Sequence, residues 1–491
     1  MRELATKPKQ HGGHAVGESE HLLTARFNRS LQVEARDERL SGDGGAVLLR
    51  EAMERSGIVA DLADWLEDPR DPDLITYTPA DLLRTRLLLM GQGWRHGQDV
   101  DRLRHDPAFC VTATGHRGAE TLDIALPSQS TVSRLDGILA RPANNRRLSE
   151  ALMALASRRL KASRKGRRKR RLAIDIDGLP IAVAGRQPGS AFNGHYKMRI
   201  YDPLIASVGA TGDMLDACLR AGNAGSADGA LAFIRDVVAR AEQQLCQVGV
   251  IRIDAGFPGE ELLSGLESDG TPYIARMKPN AALDRLSAPY RRRPAGRPPE
   301  EPREWCLDLS YQAGSWAQPR RIILVVTEQT DGDQPRAFYL VTSIAEEAKS
   351  AEEILQLYRE RGTAEGHMGE VKAFLAPALS SSPRPKSQYA GAPVYRAVDP
   401  PTEIDAFARN EAVLKLNLIA YQLLHVARTA MEAATGTGVS LHRLQRAVLT
   451  TSARFVRSGR RLSMIIERRF ADFWQAILAQ LDRWSWAPPG A

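Results

Sequence analysis

Tyr358, Arg361, Glu365 and Lys372 lie in the stretch LYRERGTAEGHMGEVK at offsets of 0, 3, 7 and 14 residues. On a helix turning about 100° per residue they fall within about a sixth of the circumference. A stripe bound for a core is apolar; this one offers a phenol, a guanidinium, a carboxylate and an ammonium. Taken alone, Arg361 and Glu365 one turn apart read as a surface ion pair, common and weak. Two other segments change that reading. Asp175 and Asp177 are two apart in LAIDIDGLPIAVAG, so on a strand both side chains point to one face. Asp254 closes VIRID just before Ala-Gly. Carboxylates that converge repel one another unless a cation sits between them, and oxygen donors without His or Cys suit Mg²⁺ or Mn²⁺. Two such ions about 3.5–4 Å apart activate a water or a 3′-hydroxyl and stabilise the leaving oxygen of a phosphodiester. Glu365 would complete that site, Arg361 would grip a phosphate oxygen through paired hydrogen bonds, and Tyr358 and Lys372 would hold the backbone on either side.

The elements that must position these groups follow from periodicity. LAIDIDGLPIAVAG alternates as a strand. YDPLIASVGA and DMLDACLRAG read as two more, with Gly212-Asp213 in the turn between them. SADGALAFIRDVVARAEQQL is an amphipathic helix with Ser226 as its candidate cap, VGVIRID a buried strand, PGEELLSGLESDG a helix and TPYIARM a fifth strand. Ligands of open α/β sheets collect at the carboxyl ends of strands, so Asp177 and Asp254 meet there if the first and fourth strands are neighbours. Residues 278–345 interrupt the pattern with three strands, WCLDLSYQ, RRIILVVTEQT and RAFYLVTS, before the helix of the opening stretch. Upstream, residues 45–160 are helical; TPADLLRTRLLLMGQG opens with Thr78 as cap and Pro79 at the first position. Downstream, 404–436 reads as a long apolar helix covering the sheet. The basic segment 441–462 reads as helical, either a second DNA-contacting surface or a solvated face.

The expected organisation is a tail at 1–27, a helical N-terminal DNA-binding domain at 28–160 and an α/β core at 171–277 and 346–375. A β-rich insertion at 278–345, a loop at 376–403 and a helical C-terminal region at 404–491 complete it. A chain of 491 residues exceeds what one core usually holds. Cys110, Cys218, Cys246 and Cys306 are widely spread, which excludes zinc-ligand spacing and fits reduced thiols in the cytoplasm. No apolar run is long enough to span a membrane. The net charge is +8, and KASRKGRRKRR at 161–171 holds eight basic residues in eleven. Leading directly into the first aspartate strand, Arg167, Arg168 and Lys169 read as a phosphate-contacting arm rather than a solvated linker. Arg384, Lys386 and Arg396 lie in the polar stretch 375–401, read as a bridge.

The four spaced residues, with two, three and six residues between them, resemble the Tyr–Arg–Glu–Lys signature of DDE transposases from the cut-and-paste group of bacterial insertion sequences. RIDAGF around Asp254 resembles the second catalytic segment of that family, DIDGLP the first, and SQSTVSRLD (128–136) a segment of its helical N-terminal region. The resemblance covers roughly residues 30–470. It implies a ribonuclease-H-like mixed sheet with a β insertion before the glutamate, and Asp177, Asp254 and Glu365 as catalytic, metal-binding triad. It further implies Tyr358, Arg361 and Lys372 on the DNA backbone and two Mg²⁺ or Mn²⁺ ions. The implied activity is binding of terminal inverted repeats, metal-dependent cleavage and strand transfer to target DNA, by a homodimer or higher synaptic complex associated with the bacterial nucleoid. A hydroxyl residue often follows the first aspartate in this group. Here Gly178-Leu179 follow, so Asp175 stands as a rival to Asp177, which is preferred as nearer the strand end. Trp305 and Trp316 of the insertion are candidates for stacking on a flipped base, weighed against core or surface roles. Two other readings share these features: a non-catalytic regulator descended from a transposase, and a ribonuclease-H-like nuclease without strand transfer. Intact carboxylates at all three positions weigh against the first.

Overall fold

Eight strands form one sheet: β1 (Leu172–Gly178), β2 (Leu204–Val208), β3 (Met214–Cys218), β4 (Val248–Ile253), β5 (Tyr273–Met277), β6 (Arg303–Tyr311), β7 (Arg320–Glu328) and β8 (Arg336–Thr342). Their order is β6-β7-β8-β5-β4-β1-β2-β3. The computed structural model describes residues 19–163, 171–292, 299–330, 334–381 and 403–483. β1, β4 and β5 run parallel, and the remaining pairings are antiparallel. The three strands of the 278–345 block thus extend the sheet through β8 on β5 rather than packing apart from it.

Both faces of the sheet are covered, which is what near-continuous apolar strands such as VGVIRI and RRIILVV require. On one face Ile174, Ile176, Ile251 and Ile253 pack under the helices Ala230–Gln244 and Glu260–Ser268. On the other, Val250, Ile274, Ile323, Val325 and Leu340 receive Ala351, Ile354 and Leu355 of the helix Ala351–Arg359. That helix starts in a capping box, where Ser350 Oγ accepts from Glu353 N at 3.3 Å and Glu353 Oε2 from Ser350 N at 2.9 Å.

Four local expectations change. The stretch 357–372 is not one helix: Ala351–Arg359 ends, Gly362–Glu370 begins, and a π turn spans Val371–Leu375. At the join Arg361 N bonds Tyr358 O at 3.0 Å, one residue short of the α-helical spacing, just before Gly362. Segment 441–462 is only briefly helical; Ala453–Ser458 and Arg461–Ile466 form an antiparallel hairpin around Gly459, whose φ of 59° suits a tight turn. Ser19–Thr24 and Gln32–Arg36 make an exposed two-stranded ribbon that begins within the stretch read as a tail. The helix after β3 starts at Ala230 with Gly229 as cap, so Ser226 does not cap it.

The N-terminal region is helical as its patterning requires. Thr78 and Asp81 form a reciprocal capping box on Pro79–Gln92, and Gly93 at φ 90° ends it. Its partner in packing is the 33-residue helix Glu403–Thr435. That helix is a spine, not a lid on the sheet: Leu414, Leu418, Leu424 and Tyr421 are buried in one cluster with the N-terminal helices, and it meets the sheet at the edge strand β3. Among the described residues the four cysteines form no disulfide. Among the described residues no helix is long and apolar enough to cross a membrane.

Candidate active site

The register of β1 on β4 pairs Asp175 with Arg252 and Ile176 with Ile253. Asp177 and Asp254 therefore follow side by side at the carboxyl ends of two neighbouring parallel strands. Asp175 is fully buried, and Arg252 takes both its oxygens, Nε to Oδ1 at 2.6 Å and Nη2 to Oδ2 at 2.8 Å. The remaining amine of Arg252 donates to Leu357 O at 2.6 Å, tying the helix Ala351–Arg359 to the sheet. Asp177 is different: its side chain is 24% exposed, with Oδ1 accepting from Gly178 N at 2.9 Å and Oδ2 meeting Arg361 Nη2 at 2.5 Å. Asp254 Oδ1 accepts from Ala255 N at 2.6 Å.

Arg361 bridges the two arms of the site. Its Nη1 lies 2.5 Å from Glu365 Oε1, and its side chain is 5% exposed while that of Glu365 is 60% exposed. Burial pulls the guanidinium pKa down, but Asp177, Tyr358, Glu365 and Asp254 together leave it above the ordinary value. Asp177 shifts the other way from a lone salt-bridged carboxylate. Burial raises its pKa first, the charges of Asp254 and Glu365 add to this, and Arg361 only partly offsets them, leaving it at about 6. Tyr358 is half-buried against the helix-covered face of the sheet, its hydroxyl pKa raised chiefly by burial and by Asp254 and Glu365 against Arg361 and Arg276. Lys372, in the π turn, is exposed, with Nζ 5.6 Å from the ring centroid of Tyr196.

The helix break therefore does not scatter the signature. Arg361 and Glu365 face Asp177, and Tyr358 lies within their field. Among the described residues no three His, Cys, Asp or Glu side chains are gathered closely enough to hold a metal ion as they stand. The donor chemistry nevertheless fits a hard divalent cation at Asp177 and Asp254: oxygen-only ligands, side by side, with the charge of Asp254 adding to burial in raising the pKa of Asp177. Glu365 stands apart from them, paired with Arg361. Arg167, Arg168 and Lys169, and likewise Arg384, Lys386 and Arg396, lie outside the described residues. Trp316 is buried under Arg320, 4.8 Å from guanidinium to ring, and Trp305 packs against the same cluster.

Three neighbours escaped the sequence reading. Arg252 had a signal, a cation within the apolar strand VGVIRI. His367, buried two residues beyond Glu365, accepts or donates with Tyr421 OH at 2.8 Å from Nδ1. Tyr196 had none; its place beside Lys372 is set by a loop excursion between β1 and β2.

A family model described as Transposase DDE domain group 1 matches residues 23–386. Among solved structures the chain is similar to the cryo-EM structure of a piggyBac transposase synaptic complex with hairpin DNA, at 11% identity and a TM-score of 0.37, covering 90% of this chain and 80% of that one. No curated protein matches it.

Proposed function

The chain belongs to the DDE-domain transposases of group 1, and from that premise we propose that it binds the terminal inverted repeats of an insertion sequence, cuts DNA at the element's ends and joins them to target DNA. The observation that carries the reading is Arg361, held 2.5 Å from both Asp177 and Glu365, with Asp254 in the same field at the end of the neighbouring strand. A strand order of β3-β2-β1-β4-β5, with β1, β4 and β5 parallel, supports a ribonuclease-H-like core around those aspartates.

Asp177 and Asp254 would hold the divalent ions, with Glu365 joining. Mg²⁺ or Mn²⁺ bound there would supply activation of the attacking water or 3′-hydroxyl and stabilisation of the departing oxygen. The chain's own residues do the positioning. Arg361 exchanges its carboxylate partners for a phosphate oxygen, for which a planar fork of donors is suited. Exposed Lys372 neutralises the neighbouring phosphate, and Tyr358 offers its hydroxyl to the backbone. The partner is double-stranded DNA, and a dimer or larger synaptic assembly brings two ends together.

The test is incubation of the wild-type protein with duplexes of its own element ends and Mg²⁺. Nicking at the ends by the wild type, and none by Asp254→Asn despite equal binding, is the expected result. Specific binding without nicking by the wild type, or nicking that survives Asp254→Asn, overturns the proposal.

A further inference from the structure

Between β1 and β2 the chain leaves the sheet and builds a small one of its own, from Ile181–Ala182, Ala191–Asn193 and Met198–Tyr201. The last two are an antiparallel hairpin, with Phe192 opposite Arg199 and Asn193 opposite Met198. Its root is fixed. Tyr201 is buried, donates to Pro188 O, accepts from Asn410 Nδ2 at 3.2 Å and meets Phe407 edge-on at 5.7 Å. The hairpin backbone also presses on Gly222 so closely that a Cβ there would meet Ile200 O at 2.0 Å.

The tip is ordered by its own bonds. Asn193 Oδ1 accepts from the amides of His195 at 3.0 Å and Tyr196 at 3.3 Å, an Asx turn that orders the backbone carrying both rings. Lys197 takes the left-handed conformation at φ 53°, uncommon for a residue with a Cβ. His195 meets Tyr196 edge-on at 4.8 Å. What this scaffold presents is apolar and open: Tyr196 is 39% exposed, Met198 45% and Phe192 64%.

The direction it points is the informative part. Lys372 Nζ, from the far end of the Tyr–Arg–Glu–Lys set, lies 5.6 Å from the Tyr196 ring. Burial first, and then the charges of Asp202, Asp177 and Asp254, raise the pKa of the Tyr196 hydroxyl, so the ring stays neutral beside the aspartates. An exposed, neutral aromatic on an ordered turn next to an ammonium is the combination that takes a nucleotide: charge for the backbone and a π face for the base.

We propose that Tyr196, carried on this rigid hairpin, is the stacking surface for the nucleobase adjoining the scissile phosphate. The inference rests on the transposase reading and deepens it, assigning a base-contacting residue that lies outside the signature. Stacking tolerates any base, so Tyr196 contributes to placing the DNA rather than to reading its sequence.

The experiment uses the full chain and duplexes of its own element end carrying 5-iodouracil at each position flanking the cut in turn. Irradiation is expected to crosslink one of those positions to Tyr196, located by mass spectrometry. Tyr196→Ala is expected to lose that crosslink and slow single-turnover nicking roughly ten- to a hundredfold while duplex affinity changes less than threefold; Tyr196→Trp restores both. Unchanged nicking by Tyr196→Ala overturns the proposal. So does a crosslink map that omits Tyr196 at every flanking position, which would leave the residue only a support for Lys372. Tyr196 is exposed, so its variants keep the wild-type melting temperature. A wild type that binds its ends and never nicks them counts against the transposase reading; the crosslink reports on Tyr196 independently.

Discussion

Two aspartates on one strand, two residues apart, have opposite fates. Asp175 is buried and neutralised by Arg252; Asp177 is part-open, next to Asp254, and only half-neutralised by Arg361. A buried bidentate pair is costly to break from either side, so Asp175 and Arg252 form a structural strut, and the proposed chemistry falls to Asp177. The raised pKa of Asp177 carries a stability consequence. The folded state binds a proton more tightly than the unfolded chain, so this group's contribution is fully present below about 3.8 and is lost as pH rises through about 6. A difference of that size corresponds to at most about 3 kcal/mol. Asp177→Asn removes the penalty. In EDTA, urea denaturation is expected to find the variant more stable than the wild type at pH 7.5, by an amount that shrinks toward pH 4.5. A gap independent of pH would show that Asp177 titrates as an ordinary carboxylate.

The element that decides the site is the broken helix, and it is held from behind. The Gly362–Glu370 segment docks His367 against the spine helix, where Tyr421 and Arg428 reach its Nδ1 at 2.8 and 3.1 Å. Glu370 accepts from Arg428 at 2.5 Å, and His425 Nε2 meets Thr211 O of the β2–β3 turn at 2.6 Å. Burial, first, and the nearby arginines keep both imidazoles neutral, with His367 down at about 4. The turn leaves room for this only because residue 212 is glycine: its φ is 71°, and a Cβ would lie 2.2 Å from the His367 ring. Gly212→Ala is therefore expected to cost about 2–4 kcal/mol in denaturant unfolding, through strain and forced displacement of His367. Nicking should fall further than stability alone explains, because Glu365 rides on the displaced segment. A variant with wild-type stability and activity would mean that the turn and the helix are not in mechanical contact.

At the scale of the molecule, the spine helix joins the N-terminal helices to the sheet. Lys415 bonds Asn145 Oδ1 at 2.5 Å and lies 3.9 Å from Asp216 of β3. Gln422 donates to Met214 O on the same strand. The whole carries +8, and a polyanion partner should be held with a steep dependence on salt. The logarithm of the DNA association constant is expected to fall linearly with the logarithm of salt concentration. Replacing Arg167, Arg168 and Lys169 with Ala should lower that slope by up to about three, near 0.9 per lost phosphate contact. A slope unchanged by the triple substitution removes those residues from the DNA interface.

Spacing and periodicity alone determined the strands of the eight-stranded sheet, the capped helix after Thr78, and the list of carboxylates and cations, because these depend on local preference and on which face a side chain takes. Folding contributed what depends on neighbours far along the chain. The adjacency of β1 and β4 places Asp177 beside Asp254, and Arg252 withdraws Asp175. At the helix break, likewise, Arg361 reaches part-open Asp177, a pairing between residues far apart in the chain. The segment 441–462 reads as helical and is so only at its start; the hairpin Ala453–Ser458 with Arg461–Ile466 is set by pairing across Gly459, which periodicity does not carry. Tyr196 left no trace in the sequence: a ring on a loop becomes part of a site only when the fold sets it against Lys372.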